Sequence, residues 1–180
     1  NSIVASAVII NDINDSSDYA KESIITLTEK GIITGDQNGN FNPKGIVTRA
    51  EIVKMLVNSL EINLKDLPKE ATFKDVPEDH WAFPYVEAAY REGIIKGISE
   101  GIFGVNQKCS REEMATMFVR SLGLTDEVVK IQGQGNIINL KDMEQISDWA
   151  KEYVDFTIDS SLMNGTGEAT FDPKGYAERQ

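Results

Sequence analysis

Arg49, Arg111 and Arg179 each stand fourteen residues after a glycine (Gly35, Gly97, Gly165) and eight after a phenylalanine (Phe41, Phe103, Phe171). The first two lie inside a pattern that starts helices, Thr48-Arg49-Ala50-Glu51 and Ser110-Arg111-Glu112-Glu113. In such a capping box the hydroxyl accepts the N–H three residues on, and the glutamate returns to the cap's own N–H. Thr48, Ser110, Glu51 and Glu113 are therefore helix-capping residues, each cap contributing about 1 kcal/mol. The arginine has no such explanation. At the first helical position the dipole is positive, and a cation there costs about 0.3–1 kcal/mol. A guanidinium beside free helix N–H groups presents donors to one point, which suits an anion. The competing readings are a solvated arginine, or one paired to a carboxylate of the neighbouring unit.

Little else in the chain offers chemistry. Its 180 residues include one Cys and one His, so neither an internal disulfide nor a common zinc site can form. The net charge of −11 opposes nucleic acid and anionic lipid. No apolar run approaches the roughly 18 residues of a membrane span. Asp36-x-Asn38-x-Asn40 begins like a calcium loop, but Phe41 replaces its glycine and Val47 its bidentate glutamate. Glu51 and Glu113 could imitate a glycosidase pair, yet capping accounts for both. Gly133-Gln134-Gly135 fits no phosphate loop. Cys109 reads as a small buried thiol and His80 as an exposed turn residue. No catalytic residue, cofactor or metal is expected.

The elements that must position the arginines come in threes. From Tyr19-Ala20, Trp81-Ala82 and Trp149-Ala150, one ungapped register carries the glycines, phenylalanines and arginines together. Ile10-Asn11-Asp12, Phe73-Lys74-Asp75 and Leu140-Lys141-Asp142 correspond upstream. Each unit reads helix, loop, helix. The first helix has an i, i+3, i+4 stripe (Ile24-Leu27-Thr28, Val86-Ala89-Tyr90, Val154-Thr157-Ile158), with Gly31 and Gly93 as left-handed C-terminal caps. The second is far more apolar, from Ile52 to Leu60 and from Met114 to Leu122, and is expected to be central. Units of about 50 residues cannot bury such a helix alone, so the copies must pack together, as one compact pseudo-threefold domain.

Phe73-Lys74-Asp75-Val76-Pro77, His80-Trp81-Ala82, Gly93-Ile94-Ile95-Lys96-Gly97, Asn38-Gly39-Asn40-Phe41-Asn42-Pro43 and Thr48-Arg49-Ala50-Glu51 resemble the S-layer homology (SLH) repeat. The likeness runs through repeats at 10–60, 73–124 and 140–180, after a lead-in at 1–9. It implies an all-α fold, a pseudo-trimer with second helices in a central spindle and first helices as prongs. It further implies an extracellular, bacterial cell-wall or S-layer location and non-covalent anchoring to secondary cell-wall polysaccharide. Arg49, Arg111 and Arg179 would contact the carboxylate of pyruvate-ketal sugars in grooves between repeats. Gly35, Gly97 and Gly165, with Trp81 or Trp149, would shape the sugar pocket; for the tryptophans, anchoring the first helix in the core is the rival reading. A structural S-layer module contacting copies of itself is the alternative function.

The third copy departs most. Glu178 replaces the capping hydroxyl, Ser161 replaces the cap glycine, and the third spindle helix has barely begun at Gln180, which puts the third groove in doubt. In the second copy Glu112 is expected to weaken anion binding at Arg111. Ser2-Ile3-Val4-Ala5-Ser6-Ala7 reads as a mobile lead-in or short strand, and its Ala-x-Ala end also fits the stump of a signal segment.

Overall fold

The computed structural model describes residues 10–131 and 140–180. The lead-in with Ser2 to Ala7 and the Gly133-Gln134-Gly135 stretch lie outside the described residues. Among these, regular structure is helical: α1 (Asp18–Glu29), α2 (Arg49–Ser59), α3 (Phe83–Arg91), α4 (Arg111–Ser121), α5 (Thr125–Ile131) and α6 (Lys151–Asp159). Short 3-10 turns at Ile13–Asp15, Met143–Gln145 and Asp148–Ala150 complete it, with only isolated β-bridges between loops. The fold is all-α. No described helix is long and apolar enough to cross a membrane.

The first helices of the three repeats are α1, α3 and α6. They bury their stripes through Ile24, through Val86 and Ala89, and through Val154 and Thr157. Pro84 sits in the first turn of α3, where its missing N–H leaves no bond unmade. Gly31 (φ 70°) and Gly93 (φ 72°) turn the chain out of α1 and α3 in the left-handed region. Ser161 makes the same turn after α6 at φ 58° without a glycine's freedom. A Cβ at Gly31 or Gly93 would meet nothing within 4 Å, so the turn needs backbone freedom rather than space. Ser161→Gly is accordingly expected to stabilise the protein by about 1 kcal/mol. Thermal unfolding would show this as a midpoint raised by about 2–4 °C.

The second helices start at the capping boxes. Thr48 and Ser110 accept the N–H of Glu51 and Glu113, and each glutamate accepts the cap's own N–H at 2.8 Å. Ala50, Ile52, Val53, Leu56 and Val57 are buried on α2, and Ala115, Thr116, Met117 and Val119 on α4. Leu60 and Leu122, read with the central set, instead stand exposed at the helix ends, where the chain turns away.

The chain forms two compact units whose boundary does not follow the repeats. One holds the chain up to Val47 together with Glu178–Gln180; the other runs from Thr48 to Ala177. In the first, α1 and its loop are joined by the chain end: Arg179 N donates to Gly45 O at 2.9 Å and Gln180 N to Pro43 O at 3.0 Å. In the second, α2 packs on α3 and α4, and α4 packs on α6. The α4–α6 core gathers Ala115, Ile146, Ala150, Val154, Met163 and Phe171. Also within this unit, α5 packs on α6 in a stretch the sequence presents as a mixed polar and apolar join.

Candidate functional site

The site begins with a tight loop that each repeat builds the same way. In the second repeat Ile98 N donates to Ile102 O at 2.9 Å. A Cβ on Gly97 would lie 2.6 Å from that carbonyl, so the loop closes only on a glycine. Gly35 and Gly165 have the same reason, with Asn40 O at 2.8 Å and Thr170 O at 2.5 Å from a Cβ. The close approach is thus first to the loop's own backbone.

A carboxylate clamps the far side of each loop. Asp75 accepts the backbone N–H groups of Phe103 (2.8 Å), Gly104 (2.7 Å) and Val105 (2.9 Å). Asp12 does this for Phe41 and Asn42, and Asp142 for Phe171 and Asp172. At Asp75 and Asp12, partial burial pushes the carboxyl pKa up, but the backbone N–H groups outweigh it and hold it below the usual value. With its N–H so held, each phenylalanine turns its carbonyl to an arginine.

Arg49 Nε donates to Phe103 O at 3.1 Å, Nη2 to Lys96 O at 3.2 Å, and Nη1 to Glu113 Oε1 at 2.7 Å. The guanidinium carbon lies 4.9 Å from the Phe103 ring centroid, a cation–π contact. Arg111 repeats this on the third repeat, with Nε to Phe171 O (2.8 Å), Nη2 to Asn164 O (2.6 Å) and the ring at 4.7 Å. Arg179 repeats it on the first, with Nε to Phe41 O (2.9 Å), Nη2 to Thr34 O (3.1 Å) and the ring at 4.7 Å. Each motif arginine is therefore addressed to the loop of another repeat. Arg49 also takes the carboxylate pairing that its residue type left open. Burial lowers the pKa of Arg111, opposed by Asp172 and Asp142.

The engagement of Arg49 is incomplete. A guanidinium has five N–H donors, and these contacts leave one on each terminal nitrogen. Arg49 also lines a groove of about 500 Å³, together with Ile95, Lys96, Gly97, Ile98, Glu113, Thr116, Met117, Arg120 and Trp149. Of the residues singled out by sequence, Arg49, Gly97, Glu113 and Trp149 meet here, drawn from all three repeats. Trp149 is 52% exposed, so its indole forms a rim rather than a core anchor. Trp81 is 50% exposed and lies with Lys54 Nζ 6.0 Å from its ring. Gly165 joins Arg111, and Gly35 joins Arg179, through the loops just described. Thr48, Glu51 and Ser110 stand behind as caps.

Glu112 departs from its expected role. It is 3% exposed and accepts from Ser147 N and Oγ, each at 2.9 Å, and from Lys174 Nζ at 2.5 Å. Its charge is thereby matched, and it holds the start of the turn that carries Trp149 instead of opposing an anion at Arg111. Asp36, at the calcium-like stretch, turns its Oδ1 to the backbone N–H groups of Asn38 (2.8 Å) and Asn40 (2.9 Å). Among the described residues no group of three or more His, Cys, Asp or Glu could hold a metal ion. Cys109 is fully buried, and burial pushes its thiol pKa up to about 12, far from a nucleophile's. Sequence reasoning gave no role to the aspartates Asp12, Asp75 and Asp142 or to Arg120. The threefold recurrence of the aspartates was the available signal; Arg120 has none, because Asn58 occupies its register on α2.

A family model described as the S-layer homology domain matches three stretches, 9–53, 72–115 and 139–180. The chain is 32% identical over 180 residues to the surface-layer 125 kDa protein of Lysinibacillus sphaericus, covering 98% of this chain and 14% of that protein. It is 32% identical over 179 residues to exoglucanase XynX of Acetivibrio thermocellus, covering 98% of this chain and 16% of the enzyme. A cellulosome-anchoring protein of the same species shares 26% identity over 152 residues, 82% of this chain and 32% of that protein. The chain thus spans less than a third of each of these relatives. What such different proteins share with it is a cell-surface anchoring module, not a catalytic domain. Three consecutive matches along a helical chain, with surface-layer and cell-surface relatives, show that it belongs to the S-layer homology domain family and is extracellular, at the cell wall.

Proposed function

We propose that this module anchors its parent protein non-covalently to a pyruvylated secondary cell-wall polysaccharide. The carboxylate of a pyruvate-ketal sugar meets the free N–H groups of Arg49, and the sugar lies between the Gly97 loop and the Trp149 indole. The observation that carries this reading is the groove in which those three residues converge around an incompletely engaged guanidinium. A bidentate guanidinium suits a planar carboxylate, and an exposed indole offers an apolar face with a polar edge. Arg111, whose Nε and Nη2 bond the corresponding loop of the third repeat, holds an equivalent sugar. Each contact can be weak, because a polymer engaging several grooves sees effective concentrations of about mM. The module contributes no catalysis. Enzymes among its relatives carry their activities in the remainder of much longer chains.

The test is calorimetric titration with native polymer, with depyruvylated polymer, and with a Trp149→Ala variant. Trp149 is chosen because its exposure lets it be removed without opening the core. Native polymer should bind and depyruvylated polymer should not. Trp149→Ala should bind native polymer about tenfold more weakly, the usual scale for truncating an aromatic contact in a binding pocket. Binding indifferent to pyruvylation would overturn the ketal reading. Absence of binding to native polymer would leave self-assembly into a surface lattice as the better account.

A further inference from the structure

The Arg49 groove contains more positive charge than its motif explains. Its lining includes Arg49, Lys96 and Arg120 against the single carboxylate of Glu113, in a chain of net charge −11. Arg120 is half-buried on α4, and its guanidinium carbon lies 5.2 Å from the Tyr153 ring centroid. Among the described residues it has no carboxylate partner. Stacking on an aromatic face holds such a group in place while leaving its in-plane N–H donors free. Glu113, Thr116, Met117 and Arg120 follow at i, i+3, i+4 and i+7 on one face of α4 and together form one wall of the groove. Seven residues of helix rise about 10 Å, so the Arg120 end lies well beyond the Glu113–Arg49 pair. Buried Thr116 and Met117, both uncharged, separate the two guanidinium sites.

We propose that Arg120 is a second anion contact, so that this groove selects an acidic saccharide bearing acid groups on two sugars. The inference rests on the reading of the groove as a saccharide site and adds a specificity determinant to it. The α2 register has Asn58 at this place, so the selectivity belongs to the α4 wall alone.

The experiment titrates the whole chain with two probes: a glycoside of one pyruvate-ketal sugar, and an oligosaccharide carrying ketals on two sugars. Both are run over a salt series, with wild type, Arg120→Gln and Arg120→Lys. The expected result is that Arg120→Gln weakens the two-acid probe about tenfold, flattens its salt dependence, and affects the one-acid probe far less. Arg120→Lys should recover part of the loss by keeping the charge. Equal losses for both probes, or no loss for either, would overturn the second contact while leaving the saccharide site standing. Failure of wild type to bind either probe would overturn the saccharide reading itself, and this inference with it. Matching thermal midpoints of the three proteins establish that binding, rather than folding, is being read.

Discussion

Arg49→Ala is expected to lower the unfolding free energy by about 3 kcal/mol, whether or not any saccharide is present. The Arg49 side chain is 5% exposed and its partner Glu113 20%, so removing the cation strands a largely buried carboxylate, a change that typically costs about 3–5 kcal/mol. The lower end applies because Glu113 retains some contact with water and still accepts from Ser110 N at 2.8 Å. The carbonyls of Phe103 and Lys96 would lose donors in the same step. Arg111→Ala provides the comparison. Arg111 bonds the corresponding carbonyls and covers the corresponding ring, but among the described residues it has no ion-pair partner, so about 1–2 kcal/mol is expected. Urea unfolding of both variants decides the matter. Equal losses would show that the Arg49–Glu113 pair adds nothing to the clasp. Arg49→Lys should recover little, since one ammonium cannot meet three acceptors held in a guanidinium's fork.

Asp75→Asn is expected to cost about 2–3 kcal/mol at neutral pH and to remove part of the protein's acid sensitivity. Its carboxylate receives three backbone N–H groups, bonds stronger than those a neutral amide accepts. Desolvation opposes ionisation here, but the three N–H groups prevail and depress the pKa below the usual value of 3.8. A carboxyl whose folded-state pKa is depressed stabilises the fold at pH values above its unfolded pKa. That contribution disappears as pH falls through the unfolded and then the lower folded value. Wild type should therefore lose stability below about pH 4, and the difference between wild type and Asp75→Asn should narrow from pH 7 to pH 2. A constant difference across that range would show that the carboxylate charge is not what holds the loop. Because the same loop presents the Phe103 carbonyl and Gly97, the variant should also bind saccharide more weakly at pH 7.

Much of this was legible before any coordinates, because repetition turned one chain into three readings of the same element. Thr48-Arg49-Ala50-Glu51 and Ser110-Arg111-Glu112-Glu113 announce helix starts through purely local bonds, and both capping boxes form. The carbonyl partners of the arginines were not legible, although the pairing of Arg49 to a carboxylate of the neighbouring unit was among the readings the sequence left open. Those carbonyls lie 54, 60 and 138 residues away, and no local periodicity encodes a contact of that span. Glu112 misled for a related reason: its neighbour in sequence is Arg111, but its neighbours in space are Ser147 and Lys174. Asp12, Asp75 and Asp142 were visible as a recurring position without a role, since a carboxylate that clamps backbone leaves no compositional trace on the segment it holds. The short α5 escaped notice because its seven residues carry too little periodicity to separate it from a mixed loop.

The pairing of Glu178–Gln180 with the opening loop has a consequence in time. A polypeptide emerges amino end first, yet the compact unit that begins its sequence includes residues near position 180. Ser17 N receives its acceptor from Gln180, 163 residues later. Within this stretch α1 and its loop are thus made before Thr48 to Ala177 but completed after it, since that longer unit can condense on contacts already present. During the interval α1 and its loop remain exposed to proteases and to other unfinished chains, so the hazard of assembling this module falls on its beginning.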